Sequence, residues 1–134
     1  MNADPRILLW NYSFEEMLQL DHFFQSVEAP LVQAIEKDQG HLLVEDILFS
    51  DKRSDQEFSC DEKVMLFFNV PGTTIHTIMQ EAKKWDLPKP IYAVVTDQSI
   101  QWTFAELADH LIKERDFIKK KMDEERSGSG RSHT

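Results

Sequence analysis

Two stretches of the chain, Ile7-Leu-Leu-Trp10 and Val64-Met-Leu-Phe-Phe68, are apolar at every position, with no polar residue alternating between them. Strands of that kind are buried on both faces. After the first, the pattern changes to a helical period. Ser13-Phe-Glu-Glu16 reads as a capping box, with Tyr12 and Met17 placed for a hydrophobic staple. Met17, Leu20, Phe24 and Val27 then fall on one helix face. Pro30-Leu-Val-Gln-Ala-Ile35 predicts a second strand, and Leu43–Ser50 a short helix. Residues 51–63 are almost all polar and predict a loop. The second apolar strand opens a similar series. A turn and helix over Pro71–Trp85 carry Ile75, Ile78, Met79 and Ala82 on one face, and a strand follows over Ile91–Thr96. A polar connection then leads to a last helix from Thr103 to about Glu124.

The two series match. Leu8-Leu-Trp-Asn11 sets over Leu66-Phe-Phe-Asn69, and Pro30–Ile35 over Pro90–Val95. Leu42, Val44, Asp46 and Ile47 set over Trp102, Phe104, Glu106 and Leu107. The offset is 58 in the first block and 60 afterwards, so two residues are gained within the helix or the turn behind it. A duplicated strand–helix–strand–helix unit follows. Each crossover makes its two strands parallel, and the doubly apolar strands belong at the centre. The expected fold is therefore α/β: a tandem pseudo-repeat forming one four-stranded sheet with helices on its faces. The alternative is a ferredoxin-like α+β sandwich, which leaves one sheet face bare. The expected organisation is a single domain over 1–125, with halves 6–50 and 63–124, an acidic loop 51–62 and a disordered tail 126–134.

Charge changes the picture on one point. The net charge is −9, and all of it sits in residues 1–63, where five Lys/Arg stand against fourteen Asp/Glu. An acidic surface repels phosphate backbones, so nucleic acid is not an expected ligand, in spite of Lys119-Lys-Lys121. No apolar run approaches the ~18 residues of a membrane span. The first ten residues lack a basic start and a small-residue cleavage site, and the single cysteine, Cys60, cannot form an internal disulfide. The expectation is a cytoplasmic chain.

Tyr92–Leu111, "YAVVTDQSIQWTFAELADHL", resembles the signature of a bacterial family known as domain of unknown function 3783. The matching residues are Ala93, Val94, Val95, Thr96, Trp102, Thr103, Glu106 and Leu107. Tyr92 and Ser99 depart from the residues that family often carries there. The resemblance implies a fold assignment and a bacterial origin; it implies no chemistry.

Motifs for catalysis do not assemble. Val70-Pro-Gly-Thr-Thr74 has one glycine and no lysine, which fails the phosphate-loop pattern. The histidines show no metal-ligand spacing, and His110 with Glu114 is an ordinary helix-surface pair. Cys60 stands beside Asp61 and Glu62, which disfavour a thiolate. No cofactor or metal is expected. Two function classes remain. The first is a non-enzymatic protein-interaction module, bound to a partner protein or to itself through the last helix and the Phe23–Ser26 region. Leu107, Leu111, Ile118 and Met122 form a stripe on that helix, and Phe117, Ile118 and Met122 stand among charges at its far end. The second is a small-ligand or enzymatic site at the carboxyl ends of the strands, where open α/β sheets place ligands; its candidates are Asn11, Asn69, Thr96, Asp97 and Ser99. Trp102, Thr103, Glu106 and Leu107 read as the staple and capping box of the last helix. The polar connection Asp97–Gln101 is longer than a turn requires, which makes it the first place to look for a site.

Overall fold

The structure, a computed structural model, describes residues 4–131, with side chains as far as 125. The elements run β1 (Arg6–Trp10), α1 (Phe14–Ser26), β2 (Leu31–Ala34), α2 (Val44–Phe49), β3 (Val64–Phe68), α3 (Gly72–Lys84), β4 (Ile91–Val94) and α4 (Phe104–Arg131). Short 3-10 turns at Lys37–Gln39 and Ser99–Gln101 precede α2 and α4. The strands form one sheet in the order β2-β1-β3-β4. β1 pairs parallel with β2, β3 pairs parallel with β4, and the two central strands pair antiparallel.

The doubly apolar strands take the centre because both of their faces are covered. Ile7, Leu9, Met65 and Phe67 pack with Leu20, Phe23 and Phe24 of α1 and Ile78 of α3. Leu8, Trp10, Val64 and Leu66 point the other way, onto Val44, Ile47 and Leu48 of α2 and Phe104, Leu107 and Ala108 of α4. The fold is a three-layer α/β domain. The ferredoxin-like alternative is excluded on two counts: neither sheet face is bare, and each crossover joins neighbouring strands, whereas a split unit would leave a strand between them.

The internal repeat is a real pseudo-twofold. Leu8 pairs with Leu66, its own repeat equivalent, in the antiparallel centre. Leu43 bridges Thr103, again its equivalent, ahead of α2 and α4. The axis passes through both pairs. Left-handed backbone recurs in register: Asn11 (φ 69) with Asn69 (φ 56) after the central strands, Glu28 (φ 53) with Asp86 (φ 54) after the helices. α1 and α3 have equal lengths of 13 residues. The two extra residues of the second half therefore lie after Asp86, in the turn Leu87-Pro-Lys-Pro90.

Three local expectations need adjustment. α4 runs to Arg131, past the expected end near Glu124; the expected disordered tail lies, from residue 132, outside the described residues. The polar loop 51–62 has no regular structure, as expected, yet it is tethered. Phe58 and Cys60 pack on the α2/α4-side core, Trp10 Nε1 donates to the Cys60 carbonyl at 3.2 Å, and Ser54 N–H donates to Asp38 O at 2.8 Å. Third, Phe23 and Phe24 are 0% and 5% exposed. They belong to the core and leave the Phe23–Ser26 region without an apolar surface for association.

Candidate interaction surface

The carboxyl-end candidates do not converge. An antiparallel centre sends the carboxyl ends of β1 and β3 to opposite ends of the sheet. Asn11 therefore lies at one end, and Asn69, Thr96, Asp97 and Ser99 at the other. Asn11 serves its turn: the left-handed backbone suits asparagine, its Nδ2 donates to Asp61 O at 2.8 Å, and its carbonyl accepts from Lys63 Nζ at 2.9 Å. Lys63 also pairs with Glu16 at 2.8 Å and lies 5.1 Å from the centre of the Tyr12 ring. Hydrogen bonds from Lys63 and from Ser13 N–H hold the Glu16 carboxyl below the ordinary glutamate range. Burial pushes the neighbouring Tyr12 hydroxyl up.

Ser99 is buried, and its role is structural. Its Oγ accepts from Thr96 N–H at 2.8 Å, while its N–H donates to Thr96 Oγ1 at 3.0 Å. The first half makes the same lock with a longer side chain: Glu36 N–H donates to Gln39 Oε1 at 2.8 Å. Gln39 and Ser99 are repeat equivalents and the two buried polar residues of the described chain. Within Asp97–Gln101 the Ser99 hydroxyl is thus engaged by the turn itself, and the Gln101 side-chain amide donates to Glu45. Five surface concavities are lined by residues other than Asn69, Thr96 and Asp97.

The start of α4 is built as its residues predict. Glu106 N–H donates to Thr103 Oγ1 at 3.0 Å, and Thr103 N–H to Glu106 Oε1 at 3.4 Å. Trp102 packs against the cluster containing Phe104 and Leu107, and its ring meets the His110 imidazole edge-on at 5.4 Å. Its outer side borders a shallow depression with Glu106, Asp109 and Lys113. Because Trp102 is only partly buried, Trp102→Ala should cost about 2 kcal/mol, below the full price of a core tryptophan; chemical denaturation reads this directly, and an unchanged midpoint would remove the staple role.

The larger feature is the far half of α4. The helix has 28 residues, about 42 Å at 1.5 Å per residue, against about 20 Å for α1 and α3. Its last fully buried side chain is Ala108. Beyond it Leu111 still packs against the same cluster, and Arg115 grips Glu62 of the acidic loop with two hydrogen bonds of 2.8 and 3.0 Å; that guanidinium holds the Glu62 carboxyl below its ordinary range. From Asp116 to Glu125 every residue is exposed. Phe117 (66%), Ile118 (50%) and Met122 (55%) are among the most exposed large apolar side chains of the molecule.

This overhang faces an open sheet edge. Ile91 and Val95 donate to the carbonyls of Lys63 and Phe67, each at 2.9 Å, so the two-residue period of a parallel ladder turns the backbone groups of Tyr92 and Val94 outward. Between β4 and α4 lies a groove of about 500 Å³, lined by Ile91, Tyr92, Leu111, Ile118 and Met122 with Glu114 and Arg115 at its rim. A second groove of about 370 Å³ flanks the same strand on the α3 side, between Met79, Leu87 and Tyr92. The residues that sequence reasoning placed on the overhang are therefore brought together with a strand edge it did not implicate. The partner of Arg115 was also hidden, because Glu62 is 53 residues away and one of many acidic residues in its loop.

Chemically, this arrangement offers apolar contact, open backbone groups and rim charges. Among the described residues, no group of three His, Cys, Asp or Glu side chains is placed to hold a metal ion. No helix among them is long and apolar enough to cross a membrane.

A family model described as Domain of unknown function (DUF3783) matches residues 63–118. The match takes in β3, α3, β4 and α4 as far as Ile118, so the resemblance carried by Tyr92–Leu111 holds over the second repeat unit. Comparison with curated proteins and with solved structures returned no match.

Proposed function

We propose that the chain is a non-enzymatic protein-interaction module of the bacterial cytoplasm, and that its contact surface is the exposed half of α4 with the groove beside β4. One observation carries this reading: a run of ten exposed helical residues, Asp116–Glu125, that holds Phe117, Ile118 and Met122 away from its own core. Contiguous exposed apolar surface rimmed by charge is the usual mark of a protein contact, and an amphipathic helix face is one of the recurrent recognition modes. A site at the carboxyl ends of the strands has no such support, since Asn11 lies at the opposite end of the sheet from the other candidates and Ser99 is engaged within its own turn.

The test is in-cell photo-crosslinking. A photoreactive residue at position 118 should give protein adducts of defined mass, whereas the same residue at His76, exposed on α3, should give none. Absence of an adduct at 118, or equal adducts at both positions, would overturn the reading.

A further inference from the structure

The charges along the overhang select a partner. We infer that the exposed half of α4 pairs antiparallel with the same segment of a second copy of this chain, the two helices crossing near Phe117 and Ile118. This rests on the interaction-module reading and names its partner. At 100° per residue, Leu111, Ile118 and Met122 fall within about 40° of one another around α4. Glu114 and Lys121 both lie on one flank of that stripe, about 60° and 80° from its centre, one on either side of the crossing point.

In a twofold antiparallel pair each flank meets its own copy in reversed order. A crossing between 117 and 118 then sets Glu114 of one chain against Lys121 of the other, and Lys121 of the first against Glu114 of the second. Two identical ion pairs close the same flank. A parallel pairing would instead bring the Lys119–Lys121 block against itself, so the order of charges sets the direction as well as the partner.

The present partners of Arg115 and Glu114 agree with this arrangement. On the opposite flank, Arg115 is already neutralised within its own chain by Glu62 and Asp116. Glu114 has only an exposed contact of 3.3 Å with His110. Phe117 lies about 120° from the stripe and borders a separate depression with Lys120, Lys121 and Glu124, outside the paired face. The groove beside Ile91 and Tyr92 gives the partner's Ile118 and Met122 a surface to rest on. The paired segment is about ten residues, or ~15 Å of helix. The interface is therefore at the small end of specific interfaces, and a reversible, concentration-dependent dimer is expected.

Sedimentation equilibrium on the full chain tests this. The wild type should dimerise reversibly as concentration rises through the micromolar range. Glu114→Lys and Lys121→Glu should each weaken the dimer about tenfold or more, because either homodimer then contains two like-charged pairs. An equimolar mixture of the two variants should recover the dimer, since both pairs are again opposite; so should the double variant. Both positions are exposed, so circular dichroism and melting should be unchanged. A wild type that stays monomeric to about 500 µM, or a mixture that does not associate, overturns the inference. In that event, crosslinks from position 118 to a different protein would leave the interaction-module reading standing, and no crosslinks would end both.

Discussion

Replacing Phe104 by alanine should lower the free energy of unfolding by about 4 kcal/mol, as expected for a fully buried phenylalanine. Phe104 has no solvent exposure. It is the first residue of α4, and its ring is the shared partner of two others, Trp10 at 5.2 Å and Phe58 at 6.0 Å between centroids. Those three rings join the sheet, the last helix and the acidic loop. Truncation removes the transfer free energy of the side chain and leaves a cavity that two rigid aromatic neighbours cannot collapse into. Its backbone N–H, bonded to Leu42 O at 3.0 Å, is untouched, so the loss reports packing alone. Phe104→Leu should cost markedly less. Urea titration followed by tryptophan fluorescence would measure both; a cost under about 1 kcal/mol for the alanine variant would show that the rings are not mutually supporting.

Gly40→Ala should be damaging for a different reason, at about 2–3 kcal/mol. The reason is close approach; the backbone of Gly40 lies in the ordinary right-handed helical region. The three heavy atoms nearest to an added methyl all belong to the Phe58 side chain. That ring cannot move aside cheaply, because Trp10 at 5.2 Å and His41 at 5.6 Å hold it and Phe58 N–H is bonded to Lys37 O at 2.9 Å. Gly40 O in turn accepts from Ala105 N–H at 2.7 Å, so the strain reaches the start of α4. The diagnostic is non-additivity. Phe58→Ala alone loses ring contacts, but in the Gly40→Ala background it also relieves the clash, so the double variant should be less destabilised than the sum of the two singles. Strict additivity in denaturation would refute the contact.

Much of this architecture is legible in local pattern. The doubly apolar Ile7–Trp10 and Val64–Phe68 could only be central strands, since no one-sided sheet offers both of their faces an apolar environment. The capping boxes at Ser13 and Thr103 were readable because the motif spans four residues and both of its hydrogen bonds are internal to it. The exposure of Phe117, Ile118 and Met122 followed from the length of the last helical period against the size of the domain.

The candidate site was legible only in part. Asn11 and Asn69 are equivalent in the repeat, but equivalence under a twofold places them at opposite ends of the sheet. The polar Asp97–Gln101 looked available for a ligand because the sequence does not show that the Ser99 hydroxyl is spent on Thr96. Phe58 stands in a run of charged residues, and its significance comes from Gly40 and Trp10, 18 and 48 positions away.

The division has a physical reason. Period, cap and face are properties of a few consecutive residues, so the sequence alone determined the elements, the duplication, the two-sided central strands and the amphipathic last helix. The direction in which the two units meet depends on the summed packing of both helical layers over the sheet. No local pattern carries it. That antiparallel meeting, set by tertiary packing, sends Asn11 to the opposite end of the sheet from Asn69, while the strand order leaves β4 at an edge beside the overhanging half of α4.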